Sequence, residues 1–206
     1  MKFDVFKHRL IKLKNKSLPG VQSHLELAPK NRIQLLEKYK LNLECYDAAV
    51  SLCFYPDSKN DVIIPLILRN KYDGVHSNQI SFPGGKKEDV DSNLIETSKR
   101  ETFEEVGIQK EIMNFEFKLT DIYIPTSNFL VRPYIFTIEK TPLLNHNNRE
   151  VVKLIKPNIK SLMNLNIQHF HINEKKIKCP FFLIENHIVW GATAMILNEF
   201  LTLVKQ

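Results

Sequence analysis

The sequence predicts a layered domain in which β-strands and α-helices are mixed, of the α/β or α+β class. Short apolar segments at 48–55 and 62–69 indicate buried strands, a strongly helical segment follows at 93–106, and further strand and helix signals alternate towards the end of the chain. The length of 206 residues suits one domain with additions at its ends, and a hydrophobic content of 43% is sufficient for a core.

The first part of the chain is predicted to be a helical extension. Residues 2–15 carry a weak helical period, and Pro19-Gly20 is expected to end that helix. A second short helix is predicted at 31–39. We therefore divide the chain into an N-terminal helical extension at 1–45, which could pack on the core, form a contact in a homodimer or cover the functional site, and a main domain at 46–206. The helical period is carried by Phe3, Phe6, Leu10 and Leu13.

Two strands and a bend are predicted to follow the extension. Residues 48–55 (AAVSLCFY) form a buried strand. Residues 62–69 (VIIPLILR) form a second apolar strand, in which Pro65 indicates an edge or a bulge because proline cannot donate to a ladder. After a polar loop at 70–79, the segment FPGG at 82–85 is a bend, since proline fixes its own φ and the two glycines permit close approaches that a Cβ would forbid.

The segment 93–106 is the clearest helix in the sequence. Small and apolar side chains recur along one side of it, and Gly107 follows as a natural C-terminal residue. The stripe consists of Ile95, Ser98, Thr102 and Val106. The remaining predicted elements are strands at 115–124, 129–139 and 150–156, a short helix at 158–164, strand signals at 177–190 and a closing helix at 191–204.

Composition argues against several classes of protein. The chain has no apolar run of the roughly 18 residues that a membrane span needs, and its basic start, MKFDVFKHRLIKLKNK, lacks the apolar region of a signal peptide. Three scattered cysteines argue against a disulfide framework or a zinc site and fit a reducing cytoplasm. The net charge of +6 favours anionic ligands such as phosphates, but the lysines are too dispersed to predict a nucleic-acid partner.

Three acidic residues share one side of the predicted helix. Glu101, Glu104 and Glu105 are spaced so that they project together, away from the apolar stripe. Each like-charge pair costs about 0.2–0.5 kcal/mol on an exposed helix. One interpretation is a solvated acidic face, softened by Lys99 and Arg100. The other is a site for a hard cation such as Mg²⁺, which takes oxygen ligands and commonly bridges to substrate phosphates.

The context of the helix favours the cation site. The glycine bend lies just upstream, and residues 100–108 read RETFEEVGI. This segment resembles the Nudix box, whose second half is R-E-U-x-E-E-x-G-U, with U a bulky apolar residue. The matching positions are Arg100, Glu101, Glu104, Glu105, Gly107 and Ile108. The first half departs from the box, because the spacing from Gly85 to Arg100 is one residue longer and Asp91 is the nearest residue to the early glutamate position.

That departure resembles the box of the coenzyme A pyrophosphatase branch of the Nudix superfamily. Asp91 and Thr97 match the pattern of this branch, whereas Glu88 and Ser98 replace an Asp and an Ala. Residues 190–193 (WGAT) resemble its segment before the last helix.

A second stretch that resembles this branch precedes the box. Residues 69–85 read RNKYDGVHSNQISFPGG, and His76, Gln79 and the FPGG segment match the branch signature. Asp73-Gly74 replace Leu-Arg of that signature. If that arginine binds a CoA phosphate in the branch, this chain must supply the charge from elsewhere.

The resemblance covers roughly residues 45–204 and implies a Nudix-type α/β/α sandwich with a mixed central sheet. It implies an enzyme that hydrolyses a nucleoside diphosphate linked to another group, with Mg²⁺ or Mn²⁺ as cofactor. Glu101 and Glu105 are the implied direct metal ligands, and Glu104 is a further ligand or lies one step behind them. Arg100 completes the predicted catalytic set by orienting a glutamate through a salt bridge.

The general base and the substrate contacts are also matters of resemblance. The base could be a glutamate of the box or Glu150 in a later loop, for which a plain surface position is an equal alternative. The predicted substrate-binding residues are Arg69, His76, Gln79, Gly84, Gly85 and Lys86. His76 could instead be a structural hydrogen-bonding residue, and Lys86 could be solvated.

The first hypothesis for function is a cytoplasmic, metal-dependent hydrolase that cleaves the pyrophosphate of CoA or acyl-CoA. The second is a Nudix pyrophosphatase for ADP-ribose, NADH or a damaged nucleotide, which the Asp73-Gly74 departure keeps open. The third is a non-catalytic nucleotide-binding module, against which the intact RExxEE segment argues. All three imply a small nucleotide as the partner, with self-association as a homodimer left open.

Overall fold

The computed structural model describes residues 1–38, 45–70, 78–172 and 177–206. Within these residues the helices are α1 (Phe3–Leu13), α2 (Gly20–Glu26), α3 (Arg32–Lys38), α4 (Leu94–Val106), α5 (Ile159–Met163) and α6 (Gly191–Lys205). The strands are β1 (Tyr46–Pro56), β2 (Val62–Ile63), β3 (Leu66–Arg69), β4 (Ile80–Ser81), β5 (Gly84–Lys86), β6 (Asn114–Lys118), β7 (Ile122–Ile124), β8 (Phe129–Thr137), β9 (Val151–Ile155), β10 (Gln168–Ile172), β11 (Ile177–Ile184) and β12 (His187–Trp190).

A mixed sheet forms the centre of the molecule, as predicted. Strands β1 and β8 run parallel, with Tyr46 opposite Phe129 and Phe54 opposite Thr137. Strands β2 and β5 pair antiparallel with β1, and β6 and β7 pair antiparallel with β8. A parallel pair needs a long crossover connection, and α4 lies within the connection from β1 to β8.

The two faces of β1 are covered by different helices, which gives the predicted α/β/α layering. Leu52 and Phe54 belong to the apolar cluster that includes α1 and α6, and the Phe54 ring stacks on Phe200 with centroids 4.7 Å apart. Cys53 and Tyr55 belong to the cluster that includes residues of α4. Successive side chains of a strand point to opposite faces, so a strand covered on both faces must be apolar nearly throughout.

The helical stripe predicted near the start of the chain is confirmed. All four of its apolar side chains are buried on α1, and Phe6 packs against Phe54 with ring centroids 4.8 Å apart. The extension therefore shares the core of the main domain. Pro19-Gly20 begins α2 rather than ending the first helix, which stops at Leu13. The division of the chain at residue 45 stays a proposal, since 39–44 lie outside the described residues.

The apolar run at 62–69 is two short strands, not the single strand predicted. Strand β2 pairs with β1 of the central sheet, whereas β3 pairs with β4 and β9 in a separate three-stranded sheet. The run changes sheet at Pro65, which has no N–H to donate and interrupts both ladders. Proline therefore marks a transfer between sheets here, beyond the edge or bulge that the sequence indicated.

Two other strand predictions also need correction. The segment 115–124 divides into β6 and β7, because the backbone N–H and hydroxyl of Thr120 bind the carboxylate of Glu199 instead of continuing the ladder. Strand β10 was not predicted. Its sequence, QHFHI, is largely polar, and it is held by pairing with β11 and by edge contacts of the Phe170 ring with Phe181 and Trp190.

A buried carboxylate ties the closing helix to the N-terminal segment. Glu199 on α6 is fully buried and accepts hydrogen bonds from His24 Nε2 (2.9 Å), Gly20 N (3.2 Å) and Thr120 Oγ1 (2.5 Å). Burial raises the pKa of Glu199, but the hydrogen bonds from His24 and Thr120 outweigh burial and hold that pKa below its ordinary value.

Replacing Glu199 with glutamine is expected to lower the free energy of unfolding at pH 7 by about 1–3 kcal/mol, the scale of lost hydrogen bonds to a charged group. Because the folded pKa is depressed, the stabilisation is present above the unfolded pKa and is lost as the pH falls through the folded value. Urea denaturation of both proteins should therefore show a smaller difference at pH 3 than at pH 7. The matched control is Glu111→Gln on the surface, and an equal loss for Glu199→Gln at both pH values would contradict the expectation.

No helix in the described part of the chain combines the length and apolar character that crossing a membrane requires.

Candidate active site

The helix that carries the three glutamates is fixed at both ends and along its side. The Asn93 side chain caps its start by accepting hydrogen bonds from Ile95 N (2.9 Å) and Glu96 N (3.1 Å), and Gly107 ends it with a φ of 80°. Both boundaries agree with the prediction. The hydroxyl of Ser51 on β1 donates to the backbone oxygen of Ser98 (3.0 Å), which holds α4 against the central sheet.

Glu105 lies in the protein interior. Its side chain is 0% exposed, its Oε2 accepts a hydrogen bond from Gly84 N (2.9 Å), and Arg69 Nη1 lies 2.9 Å from its Oε1. That contact lacks hydrogen-bond geometry, so Oε1 accepts no hydrogen bond within the described residues. The prediction that all three glutamates project away from the buried stripe is therefore wrong for Glu105, which faces the glycine bend beside that stripe.

The surroundings of Glu105 make its carboxylate hard to ionise. Burial raises its pKa to about 7, and the charges of Glu101 and Glu150 act in the same direction. The Arg69 guanidinium and the Gly84 N–H oppose that rise. Perturbed carboxyl groups of this kind are typical of functional sites, because a fold rarely buries an acid without a use for it.

Arg100 organises the other two glutamates. Its guanidinium makes a bidentate contact with Asp91, with both distances 2.9 Å, and its Nη1 also donates to Glu101 Oε1 and Glu104 Oε2, each at 3.0 Å. A further bond runs from Nη2 to the backbone oxygen of Lys86 (3.1 Å). The hydrogen bonds from Arg100 lower the pKa of Asp91 to about 2. Arg100 is thus a buried clamp that sets the orientation of the neighbouring carboxylates.

The three glutamate side chains differ in their exposure to solvent, which increases from Glu105 to Glu101 to Glu104. Glu101 is 13% exposed and Glu104 is 46% exposed, whereas Glu105 is fully covered. Burial raises the pKa of Glu101, against the opposing charge of Arg100. Glu101 and Glu105 are consequently the two box carboxylates held in a low-dielectric environment, and Glu104 lies at the solvent edge.

The glycine bend permits close contact between the backbone and these carboxylates. Gly84 has a φ of 154°, and a Cβ there would collide with the backbone oxygen of Ala49. A Cβ on Gly85 would lie 2.5 Å from the carboxylate carbon of Glu101. Pro83 O accepts from Ser51 N (2.9 Å), which fastens the bend to β1.

Replacing Gly85 with alanine is expected to lower kcat/KM by roughly 100-fold, because the added methyl group displaces Glu101, a predicted metal ligand, and small misplacements of a catalytic group have effects of that size. Kinetic assays with a pyrophosphate substrate would measure the loss. A melting curve would establish that the variant is folded. A folded Gly85→Ala protein with the unaltered rate would contradict the placement of Glu101 at the reacting centre.

The carboxylates suit a hard divalent cation for two reasons, their oxygen chemistry and the oxygen of Glu105 left unsatisfied within the described residues. All are oxygen donors of the kind that Mg²⁺ and Mn²⁺ take, and the buried Glu105 Oε1 has no hydrogen-bond donor among the described residues. In the same part of the chain, no three His, Cys, Asp or Glu side chains already converge as a metal centre. These carboxylates are instead paired with arginines, Glu105 with Arg69 and both Glu101 and Glu104 with Arg100.

A cavity of about 480 Å³ opens beside the bend. Of the predicted substrate-binding residues, Arg69, Gln79, Gly84, Gly85 and Lys86 line it, and His76 lies outside the described residues. The Lys86 ammonium lies 4.2 Å from the centroid of the Tyr46 ring. Most other lining side chains are apolar, among them Val50, Phe82, Phe129, Val131, Trp190 and Met195.

Glu150, the predicted alternative base, lies close enough to raise the pKa of Glu105. It is exposed, and Asn147 Nδ2 donates to its Oε1 (3.1 Å). Its backbone oxygen accepts from Asn70 N (2.8 Å). A surface carboxylate held near the buried one is compatible with a role in proton transfer.

Two sets of contacts around the site were not predicted residue by residue, although covering the site was one alternative for the N-terminal extension. Asp91 was noted only for its position in the box, and its bidentate contact with Arg100 depends on how the loop before α4 folds back. Residues of the N-terminal segment, Pro29, Asn31, Arg32 and Leu35, line the cavity although they belong to no motif. The sequence signal nearest to them was the short helix predicted at 31–39.

The fold and the RExxEExG helix together define a Nudix-type hydrolase. No family model matches the chain. It is 27% identical over 182 residues to an uncharacterized Nudix hydrolase, NudL, of Yersinia pestis (strain Pestoides F), an alignment that covers 81% of this chain and 91% of the relative. The NudL of Yersinia pseudotuberculosis serotype O:1b is equally similar.

Solved structures show the same fold. A MutT/nudix family protein from Enterococcus faecalis superposes with a TM-score of 0.53 at 15% identity and covers 85% of this chain and 70% of that protein. The chain is similar to Nudix hydrolases in sequence and in fold, and it is a hydrolase.

Proposed function

We propose that this protein hydrolyses the pyrophosphate bond of CoA or acyl-CoA with the help of Mg²⁺ or Mn²⁺. The products are 3′,5′-ADP and 4′-phosphopantetheine or its acyl derivative. The observation that carries this proposal is the pair of shielded carboxylates, Glu101 and Glu105, against the Gly84-Gly85 bend at the edge of a largely apolar cavity.

The proposed metal ligands are Glu101 and Glu105, with Glu104 as a further ligand or a support through Arg100. A bound divalent ion neutralises pyrophosphate charge and lowers the pKa of a bound water. The Arg69 side chain lines the cavity beside Glu105 and provides a positive charge for the substrate phosphates. Arg100 keeps Glu101 in place, and the buried setting strengthens each of these charge interactions.

The apolar lining supports a CoA-type substrate over a smaller nucleotide sugar. A pantetheine chain and an acyl group bury apolar surface, and the cavity presents aliphatic and aromatic side chains from the central sheet and α6. All four residues of the segment 190–193, whose sequence resembles the coenzyme A pyrophosphatase branch, line the cavity. The alternative, a pyrophosphatase for ADP-ribose or NADH, keeps the same carboxylates and differs only in what fills the cavity.

Incubation of the purified protein with CoA and Mg²⁺ or Mn²⁺, followed by separation of adenosine products, tests the proposal. Formation of 3′,5′-ADP in a metal-dependent reaction is the expected result. Cleavage of ADP-ribose or NADH with CoA left intact would replace the proposed substrate with the alternative. A protein inert towards the whole panel would favour the non-catalytic nucleotide-binding module.

A further inference from the structure

The floor of the cavity is a strip of the central sheet, and its width follows from the number of strands that cross it. Four adjacent strands cross it in the order β5, β1, β8 and β7. Along one row, Lys87 N binds Asp47 O, Asp47 lies opposite Leu130, and Leu130 lies opposite Tyr123. Three strand spacings of about 4.8 Å separate the β5 edge from the β7 edge, so the strip is roughly 14 Å wide.

Cationic side chains lie at both edges of this strip. Arg69 and Lys86 line the cavity at the β5 edge, beside the glutamates. At the β7 edge, Arg32 of α3 lines the same cavity, and its Nη2 donates to the backbone oxygen of Tyr123 (2.9 Å). A ligand that spans the floor therefore meets positive charge at each end and apolar surface between.

Among the described side chains, Arg32 has no acidic partner, unlike Arg100 and Arg132. Arg100 is paired with Asp91, and Arg132 with Asp47. Arg32 forms no ion pair with a carboxylate among the side chains that the structure describes, which are those of residues 1–36, 45–70, 78–171 and 177–206. Burial lowers the pKa of Arg32 below its ordinary value. A guanidinium has five N–H donors, and the backbone oxygen of Tyr123 accepts a hydrogen bond from only one of its three nitrogen atoms, Nη2. A partly buried cation without a counter-charge is unfavourable unless an anion completes it.

The positive region continues beyond Arg32. A second cleft of about 370 Å³ shares Asn31 and Ile177 with the cavity and is lined by Lys30, His171 and Lys178. The backbone N–H of Lys30 donates to Lys178 O (3.2 Å), which joins the N-terminal segment to β11. The N-terminal segment and the paired strands β10 and β11 therefore present several basic groups at the side of the cavity remote from the glutamates.

We propose that Arg32 binds a phosphate group that the substrate carries away from the cleaved pyrophosphate, and that this contact selects phosphorylated nucleotides over their dephosphorylated forms. The planar fork of an arginine suits a phosphate monoester, whose oxygens accept paired hydrogen bonds. The inference rests on the proposed pyrophosphatase function of the same cavity. It makes the N-terminal segment a specificity element of the active site.

Matched substrate pairs test this role. CoA is compared with 3′-dephospho-CoA, and NADPH with NADH, in the wild type, in Arg32→Gln and in the control Arg9→Gln, which removes the same charge from α1 outside the cavity. Within the pair that it cleaves, the wild type is expected to prefer the phosphorylated substrate by roughly 10- to 100-fold in kcat/KM, which is the scale of a hydrogen bond to a charged group. Most of this difference is expected in KM. Arg32→Gln, whose amide can still donate to Tyr123 O, is expected to lose that preference, and Arg9→Gln to keep it.

The outcomes separate this inference from the proposed function. Selective cleavage of NADPH over NADH with CoA intact would reject the CoA assignment and support the role of Arg32. Equal rates on CoA and 3′-dephospho-CoA in the wild type would overturn the role of Arg32 and leave the CoA assignment standing.

Calorimetry supplies a readout independent of turnover, with adenosine 3′,5′-bisphosphate compared with 5′-AMP. Tighter binding of the bisphosphate by the wild type, lost in Arg32→Gln, supports the inference. If Arg32→Gln does not fold, Arg32→Lys takes its place in the experiment. This variant should lose part of the preference for the bisphosphate, since lysine keeps the charge but lacks the planar guanidinium. Equal affinities for the two nucleotides in the wild type would overturn it.

Discussion

Replacing Glu105 with glutamine is expected to lower kcat/KM for pyrophosphate hydrolysis by on the order of a thousand-fold, because the charge stabilisation that a metal ligand supports amounts to several kcal/mol and each 1.36 kcal/mol corresponds to about tenfold in rate. The amide keeps the shape of the side chain and can still accept the hydrogen bond from Gly84 N. The loss should therefore come from the missing charge and not from unfolding. Steady-state kinetics with CoA at saturating Mn²⁺ would measure it.

The matched control is Glu96→Gln, on the first turn of the same helix. Glu96 is 42% exposed and lies 3.9 Å from Lys99, outside the cavity. It removes the same charge from α4 and is expected to leave turnover unchanged. If the Glu105→Gln protein turns over as fast as the Glu96→Gln control, the assignment of Glu105 as a metal ligand would be contradicted.

Replacing Arg100 with methionine is expected to reduce the free energy of unfolding by about 3–5 kcal/mol, the range for removing one partner of a buried ion pair. The Asp91 side chain is 3% exposed and would lose its bidentate partner. Glu101 and Glu104 would lose the hydrogen bonds that orient them, so kcat/KM should fall as well. Urea denaturation and kinetics on the folded fraction measure the two effects.

A double-variant cycle separates the loss of the pair from the loss of packing. Asp91→Asn combined with Arg100→Met leaves neither member of this pair as an unpaired buried charge, and the double variant is expected to be less destabilised than the sum of the two single variants. Strict additivity of the three unfolding free energies would contradict the interpretation that Arg100 is held mainly by Asp91.

Elements with local signals were predictable from the sequence. The limits of α4 follow from Asn93 and Gly107, whose backbone preferences need no partner elsewhere in the chain. Strand β1 was predictable because both of its faces are covered, which leaves an uninterrupted apolar run. The break at Thr120 was not, since it depends on the carboxylate of Glu199 on the last helix.

The same distinction applies to the candidate site. The helix was predicted from its sequence pattern, and the resemblance of the segment with Arg100, Glu101 and Glu105 to the Nudix box predicted a cation site on it. The burial of Glu105 could not be deduced from its helical position, because it depends on the approach of the Gly84 backbone. The contribution of Arg32 to the cavity depends on packing between segments more than 90 residues apart along the chain, as its contact with Tyr123 shows. Helical spacing reports on neighbours within a turn or two and not on such contacts.

We propose that Glu101 and Glu105 hold a divalent cation against the substrate pyrophosphate. Its most direct test is anomalous diffraction from crystals soaked with Mn²⁺ and a non-hydrolysable CoA analogue. We expect a manganese peak about 2.0–2.6 Å from carboxylate oxygens of Glu101 and Glu105, with the phosphates of the analogue on the other side of the ion. An analogue bound in the cavity with both carboxylates free of manganese would contradict it.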